Sequence, residues 1–172
     1  MKTTPNAKVW RNDDVSHKTE VGQFEEVHKL FKQYTVLHTI AVICKDIEKN
    51  PELIKYINEN NIDVQVHCWE HKDFTELSDA EIKAQLKQCI TAIKKHFKHT
   101  PDTFYPPWNK ADERVAKIAK GLGLTVSNTK VSLSQYIRTD GDVEERVINF
   151  HSWSLPEIID LEAALKIYTS KR

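Results

Sequence analysis

His67 and His71 stand four apart in His67-Cys68-Trp69-Glu70-His71. A divalent transition metal needs convergent neutral imidazoles, and this pair can supply two. Residues four apart share one side of a helical turn, and the strand-like stretch before His67 places the pair where a strand ends and a loop turns. Solvated loop histidines meet the same spacing, so the pair carries weight only with a third ligand and catalytic partners elsewhere. Asp13-Asp14 is one candidate, because adjacent carboxylates repel unless a cation sits nearby. A turn with solvated aspartates would have the same composition. His151 follows the apolar stretch Val147-Ile148-Asn149-Phe150. In Tyr105-Pro106-Pro107-Trp108 the two prolines stiffen the backbone, so Trp108 sits on a rigid loop as a packed aromatic or as a pocket wall.

These residues need elements to position them. Residues 7–11 read as a first strand and 24–34 as a helix with Phe24, Val27, Leu30 and Phe31 on one face. The apolar run 39–44 suits a parallel strand covered on both faces. Asn50 and Pro51 have the types of an N-cap and first helical residue. Ile62-Asp63-Val64-Gln65-Val66 alternates like a strand leading to His67. Ser78 and Glu81 form a capping box, after which Ile82, Leu86, Cys89, Ile93 and Phe97 share a helical face. A strand over 102–105 ends at the prolines, and Asn109 can cap a helix over 111–122 that Gly121 and Gly123 close. Further elements are a strand over 124–127, a weak helix over 132–137, a turn at Asp140-Gly141-Asp142, the strand ending at Phe150, and a helix over 155–168. Strands alternating with helices predict an α/β fold with a mainly parallel sheet. The candidate residues all fall at or just after strand C-termini, which share one mouth in a barrel of parallel strands.

Composition removes several functional classes. Lys plus Arg equals Asp plus Glu, at 25 each, so no global basic field exists to hold nucleic acid or an anionic membrane. The lysines around Phe97 belong to a solvated helix end, because Phe97 is on the core face. Cys44, Cys68 and Cys89 form no C-x-x-C pair and are expected to be reduced thiols. Met1 to Asn6 contain no apolar core of a signal peptide, and no apolar run reaches membrane-spanning length. A cytoplasmic protein with no membrane partner is the expectation.

The motifs, in their order, resemble those of the polysaccharide deacetylases of carbohydrate esterase family four. The family's Asp-Asp motif corresponds to Asp13-Asp14, its His-x-x-x-His motif to His67 and His71, its Arg-Pro-Pro-Tyr motif to Tyr105-Pro106-Pro107-Trp108, and its Leu-x-Leu-His motif to Ile148-Asn149-Phe150-His151. The resemblance implies a distorted, incomplete (β/α) barrel of mainly parallel strands with outer helices, forming one catalytic domain over 1–172. It implies metal-dependent hydrolysis of an N-acetyl group on a sugar or polysaccharide. Asp14, His67 and His71 would hold a divalent metal, most simply zinc. Asp13 would be the general base, His151 the general acid, and the Trp108 N–H an oxyanion donor. Tyr105, Pro106, Trp108 and Trp153 would line the carbohydrate site. The chain departs from the family twice: Tyr105 stands where the motif has the arginine that orients the base, and 128–136 contain no recognisable fourth motif with its aspartate for the acid histidine. One alternative is therefore an inactive relative that still binds carbohydrate. Another is a zinc peptidase with an inverted His-x-x-Glu-His motif and Glu70 as base.

Overall fold

The computed structural model describes residues 8–172. The N-terminal segment through Asn6, and Ala7 of the expected first strand, lie outside the described residues. The elements are β1 (Val9–Val15), α1 (Val21–Gln33), β2 (His38–Ile43), α2 (Pro51–Glu59), β3 (Asp63–Cys68), α3 (Asp79–Phe97), β4 (Thr103–Phe104), α4 (Glu113–Gly121), β5 (Thr125–Val126), β6 (Val131–Ser132), α5 (Leu133–Arg138), β7 (Val147–Phe150) and α6 (Leu155–Ser170).

The seven strands make one sheet in the order β5-β4-β3-β2-β1-β7-β6. β1 pairs with β7, β6 with β7, β3 with β4 and β4 with β5, all in parallel. Two-residue strands stand at both edges, so the sheet does not close on itself. This is the α/β, incomplete (β/α) barrel that the alternating pattern and the motifs lead one to expect.

Local chemistry sets the helix ends. Asn50 Oδ1 accepts from the Leu53 N–H with Pro51 at N1, and Ser78 and Glu81 complete a reciprocal capping box. Four boundaries differ from the sequence expectation. β1 continues through Asp13 and Asp14 to Val15, past the expected end at Arg11. β3 continues through His67 to Cys68, past the expected strand end at Val66, and His71 follows in the bend, so the pair sits where a strand ends and a loop turns, as expected. Asp112 caps α4 in place of Asn109, whose φ of 57° puts it in a left-handed turn. β6 gives no sequence signal, being two residues long.

The chain forms two compact units. The first contains residues up to Asp13, Thr19–Thr39 and Thr129–Arg172. Trp10 is fully buried there, with Phe31, Tyr136 and Tyr168 edge-on to its ring at 5.6–5.8 Å. Val27, Ile148, Phe150, Leu161 and Leu165 complete that core. Gly141 ends the turn after α5 with φ of 77°, where a Cβ would meet the Tyr136 hydroxyl at 2.9 Å. The second unit contains Asp14–Lys18 and Ile40–Asn128. The predicted face of α3 is buried throughout, from Ile82 to Phe97, and so are all three free thiols. Burial pushes the Cys89 thiol well above its usual range, with Cys44 adding to the effect.

The first unit also buries a histidine pair. His28 Nδ1 lies 2.9 Å from His38 Nε2, and His38 stacks on Phe31 at 4.5 Å. Burial, reinforced by His28, lowers the His38 pKa to about 3. The unfolded chain has a histidine near 6.5, so from there down to about 3 it binds a proton that the folded chain refuses. Stability from this group is therefore intact above pH 6.5 and lost as pH falls, by about 2 kcal/mol at pH 5. Urea unfolding at pH 7.5 and pH 5 is expected to show this loss, and His38→Gln is expected to flatten the slope. An equal slope in the variant would assign the acid sensitivity elsewhere.

Candidate functional site

Asp14, His67 and His71 converge in the second unit, with one ligand-type atom from each within 4.8 Å of the others. Asp14 Oδ1 lies 3.1 Å from His67 Nε2 and 3.3 Å from His71 Nε2. A left-handed turn produces this. Asp14 has φ of 60°, unlike the extended residues before it, and so its carboxylate departs from the strict alternation of β1. Aspartate tolerates that conformation better than most residues.

The two histidines are held by different means. His67, in β3, is 2 % exposed, and its Nδ1 lies 2.6 Å from the Tyr105 carbonyl oxygen. That oxygen can only accept, so Nδ1 bears a hydrogen and Nε2 is the ring nitrogen turned toward Asp14. His71 follows in the bend after β3. The ladder continues briefly there, with the Cys44 N–H donating to the Cys68 carbonyl at 2.9 Å and the Lys45 N–H to that of Trp69 at 3.2 Å. Beyond His71 the loop is pinned. Arg114 donates to the Thr75 and Leu77 carbonyls, Lys110 to Asp73, and Phe74 packs on Phe104.

This arrangement fits a metal ion. His67 Nε2 and an Asp14 carboxylate oxygen stand 3.1 Å apart, a spacing that a shared cation, a proton or a metal ion, makes favourable. Two donors each ~2.1 Å from one ion would stand about 3.0 to 3.4 Å apart at angles of 90° to 109°. The observed 3.1 and 3.3 Å lie in that interval. Burial acts to raise the Asp14 pKa, but hydrogen bonds from His67 and His71 outweigh it and hold the carboxyl well below its usual range. Asp14 is therefore anionic at any working pH.

Trp108 stands beside the cluster, its ring edge-on to His71 at 4.4 Å and 58 % of the residue exposed. Its φ of 52° is left-handed, which costs a non-glycine residue about 1–2 kcal/mol. Pro107 before it and the Asn109 N–H bond to the Pro106 carbonyl hold the turn. Tyr105 and Pro106, expected to line a sugar site, are buried, so the visible contribution of Tyr105 is its carbonyl on His67.

The remaining candidates lie in the first unit. Asp13 is 4 % exposed. Arg11 Nη2 donates to its Oδ2 at 2.7 Å, and Arg11 Nε stands 2.7 Å from Oδ1 without being aligned for a hydrogen bond. Asn149 Nδ2 donates to Oδ2 at 3.2 Å. Parallel register makes this cluster: Arg11 is the partner of Asn149, and Arg11 and Asp13, two apart on one strand, share a face. His151 follows β7. Its ring Nδ1 lies 3.1 and 3.2 Å from the two Glu157 oxygens, and its backbone N–H donates to Glu157 Oε2 at 2.6 Å. Trp153, 61 % exposed, lies 5.0 Å from the His151 ring.

Sequence reasoning missed Arg11 and Glu157. The two-residue spacing from Arg11 to Asp13 on a strand was an available signal. The contact from Glu157 to His151 crosses the turn into α6 and has no periodic signature. The inverted peptidase motif fails on structure: His67 is in a strand, and ion pairs with Lys45 and Lys72 lower the Glu70 pKa to about 2, too acidic for a base.

Residues 11–127, more than half of the chain, match the profile of the Polysaccharide deacetylase family. That span includes Asp13, Asp14, His67, His71 and Tyr105 to Trp108, while His151 lies beyond it. The chain is 28% identical to chitin deacetylase 1 of Saccharomyces cerevisiae over 146 residues, 81% of this chain and 48% of the yeast protein. It is 26% identical to the peptidoglycan-N-acetylglucosamine deacetylase PgdA of Listeria monocytogenes over 118 residues, 68% of this chain and 25% of that protein. The chain thus spans about half or less of these relatives' length. Among solved structures, it resembles a family 4 carbohydrate esterase from Streptomyces lividans with a TM-score of 0.81 at 17% identity, covering 97% of this chain and 90% of that one. It also resembles a CE4 family pseudoenzyme from Bacillus anthracis with a TM-score of 0.82 at 18% identity, covering 98% and 62%. At these identities the structural likeness shows the fold alone.

Proposed function

The chain belongs to the polysaccharide deacetylase family, and from that premise we propose that it is a divalent-metal-dependent hydrolase removing N-acetyl groups from an N-acetylated sugar or polysaccharide. The observation that carries this reading is the convergence of Asp14, His67 and His71 on one cation-sized gap. These three would hold the ion, most simply zinc. Such an ion, when bound, acidifies a water and polarises a carbonyl.

The chain's own residues supply the rest. Asp13 takes the proton from the attacking water. The acetyl oxygen gains negative charge as the carbonyl is attacked, and the Trp108 N–H donates to it. His151 then protonates the nitrogen, because a sugar amine does not leave as an anion. The exposed rings of Trp108 and Trp153 offer flat apolar faces to pyranose rings. Chitin and peptidoglycan fragments are the substrates to try first, since the similar curated proteins carry those names.

The test pairs metal analysis of the purified protein with acetate release from N-acetylated oligosaccharides. Near-stoichiometric metal and released acetate are expected. His71→Ala is expected to lose the metal, and unchanged metal content in that variant would sink the proposed centre.

A further inference from the structure

We propose that Arg11 and Glu157 are the positioning residues of this hydrolase, Arg11 aiming the Asp13 carboxylate and Glu157 aiming the His151 imidazole, each from outside the four recognised motifs. The inference rests on the deacetylase reading. It accounts for the chain's two departures from its family. A tyrosine holds the place of the base-orienting arginine, and no aspartate for the acid histidine is recognisable in 128–136. Both tasks nonetheless have a charged side chain in contact with the residue concerned.

Arg11 is completely buried, and Asp13 and Asn149 are each 4 % exposed. A buried ion pair is weak support for stability, since well-packed apolar residues often serve as well. What a guanidinium gives that an apolar residue cannot is direction. One hydrogen bond from Nη2 to Oδ2 and the Nε ion-pair contact with Oδ1 hold the carboxylate at both of its oxygens, which fixes rotation and tilt together. Asn149 adds a second donor to Oδ2.

Glu157 grips His151 at two points, the backbone N–H and ring Nδ1. The first contact ties the start of α6 to the end of β7. The second keeps a hydrogen on Nδ1, which leaves Nε2 as the nitrogen that gives up a proton. A carboxylate behind an imidazole also stabilises the imidazolium form that a general acid must adopt.

The experiment compares Arg11→Lys and Glu157→Gln with the metal-loaded wild type on two probes, an N-acetylated chitooligosaccharide and 4-nitrophenyl acetate. Metal content and folded fraction are measured for each. Arg11→Lys keeps the charge and loses the two-point grip, so kcat per folded molecule is expected to fall about 10- to 100-fold on both probes, with KM little changed. Arg11→Gln, which keeps a donor in a similar volume, is expected to show the same loss and stands in should the lysine variant fail to accumulate. Glu157→Gln is expected to lose about tenfold or more on the sugar beyond its loss on the aryl ester, because nitrophenolate leaves without a proton. A merely structural role lowers the folded fraction and leaves kcat per folded molecule intact. Full kcat in the arginine variants, or equal losses on the two probes for Glu157→Gln, would overturn the positioning roles while the function stands. No acetate from the metal-loaded wild type on either probe would remove the hydrolase function and the positioning roles with it.

Discussion

Asp13→Asn is expected to keep its metal and to lose acetate release by roughly a hundred- to ten-thousand-fold, the usual cost of a missing general base. Asp14→Asn is expected to lose the metal itself. Two neighbouring aspartates would divide the work because the backbone changes conformation between them. Asp13 is still extended, and its carboxylate meets Arg11 and Asn149. Asp14 is left-handed, and its carboxylate meets His67 and His71. An amide at position 14 is a neutral and poor replacement for an anionic ligand. An amide at position 13 can still accept from Arg11, but it cannot take a proton from water. Metal content beside acetate release, measured for both variants, decides. Metal loss in Asp13→Asn with retention in Asp14→Asn would exchange the roles, and full activity in both would end the mechanism.

The second large effect is at His151. His151→Ala is expected to retain the metal and to lose N-acetyl hydrolysis by roughly a hundred- to ten-thousand-fold. Its ring Nδ1 is held by Glu157, and the three candidate ligands are Asp14, His67 and His71, so the alanine variant keeps every ligand side chain. An alanine variant that loses metal would make His151 a ligand. One that hydrolyses the sugar at the wild-type rate would leave the departing amine without a proton donor in this scheme, and the acid would have to be sought elsewhere.

Much of this architecture was legible before any coordinates. β7 begins and ends where its apolar run does, and the capping box places the start of α3 to the residue. Long periodic segments are legible because a whole buried face must repeat. The site was legible as residue types in order, and in part as local geometry. The strand-like stretch before His67 placed the histidine pair where a strand ends and a loop turns, and the structure has His67 in β3 and His71 in the bend after it. The first strand was expected to end at Arg11, with a turn of solvated aspartates as one reading of Asp13-Asp14, whereas β1 carries both, Asp14 in a left-handed conformation. Asn109 was a reasonable cap by type, but the loop takes a left-handed turn there, and Asp112 is the first residue with a side chain over the helix end. The supports at Arg11 and Glu157 depend on register and on a turn into a helix, and neither writes a periodic pattern into the chain.

The three thiols have a practical consequence. Cys44, Cys68 and Cys89 are at most 1 % exposed, and Cys89 is further disarmed by its raised pKa. To an alkylating dye the folded protein is therefore nearly silent, since a thiol must be both reachable and ionised to react. A single cysteine introduced at an exposed position such as Lys171 would label almost alone. Left unlabelled, the native sulfurs become a clock. The rate at which a thiol reagent consumes them reports how often the second unit opens, and adding the metal ion should slow that clock by as much as the ion holds Asp14, His67 and His71 together.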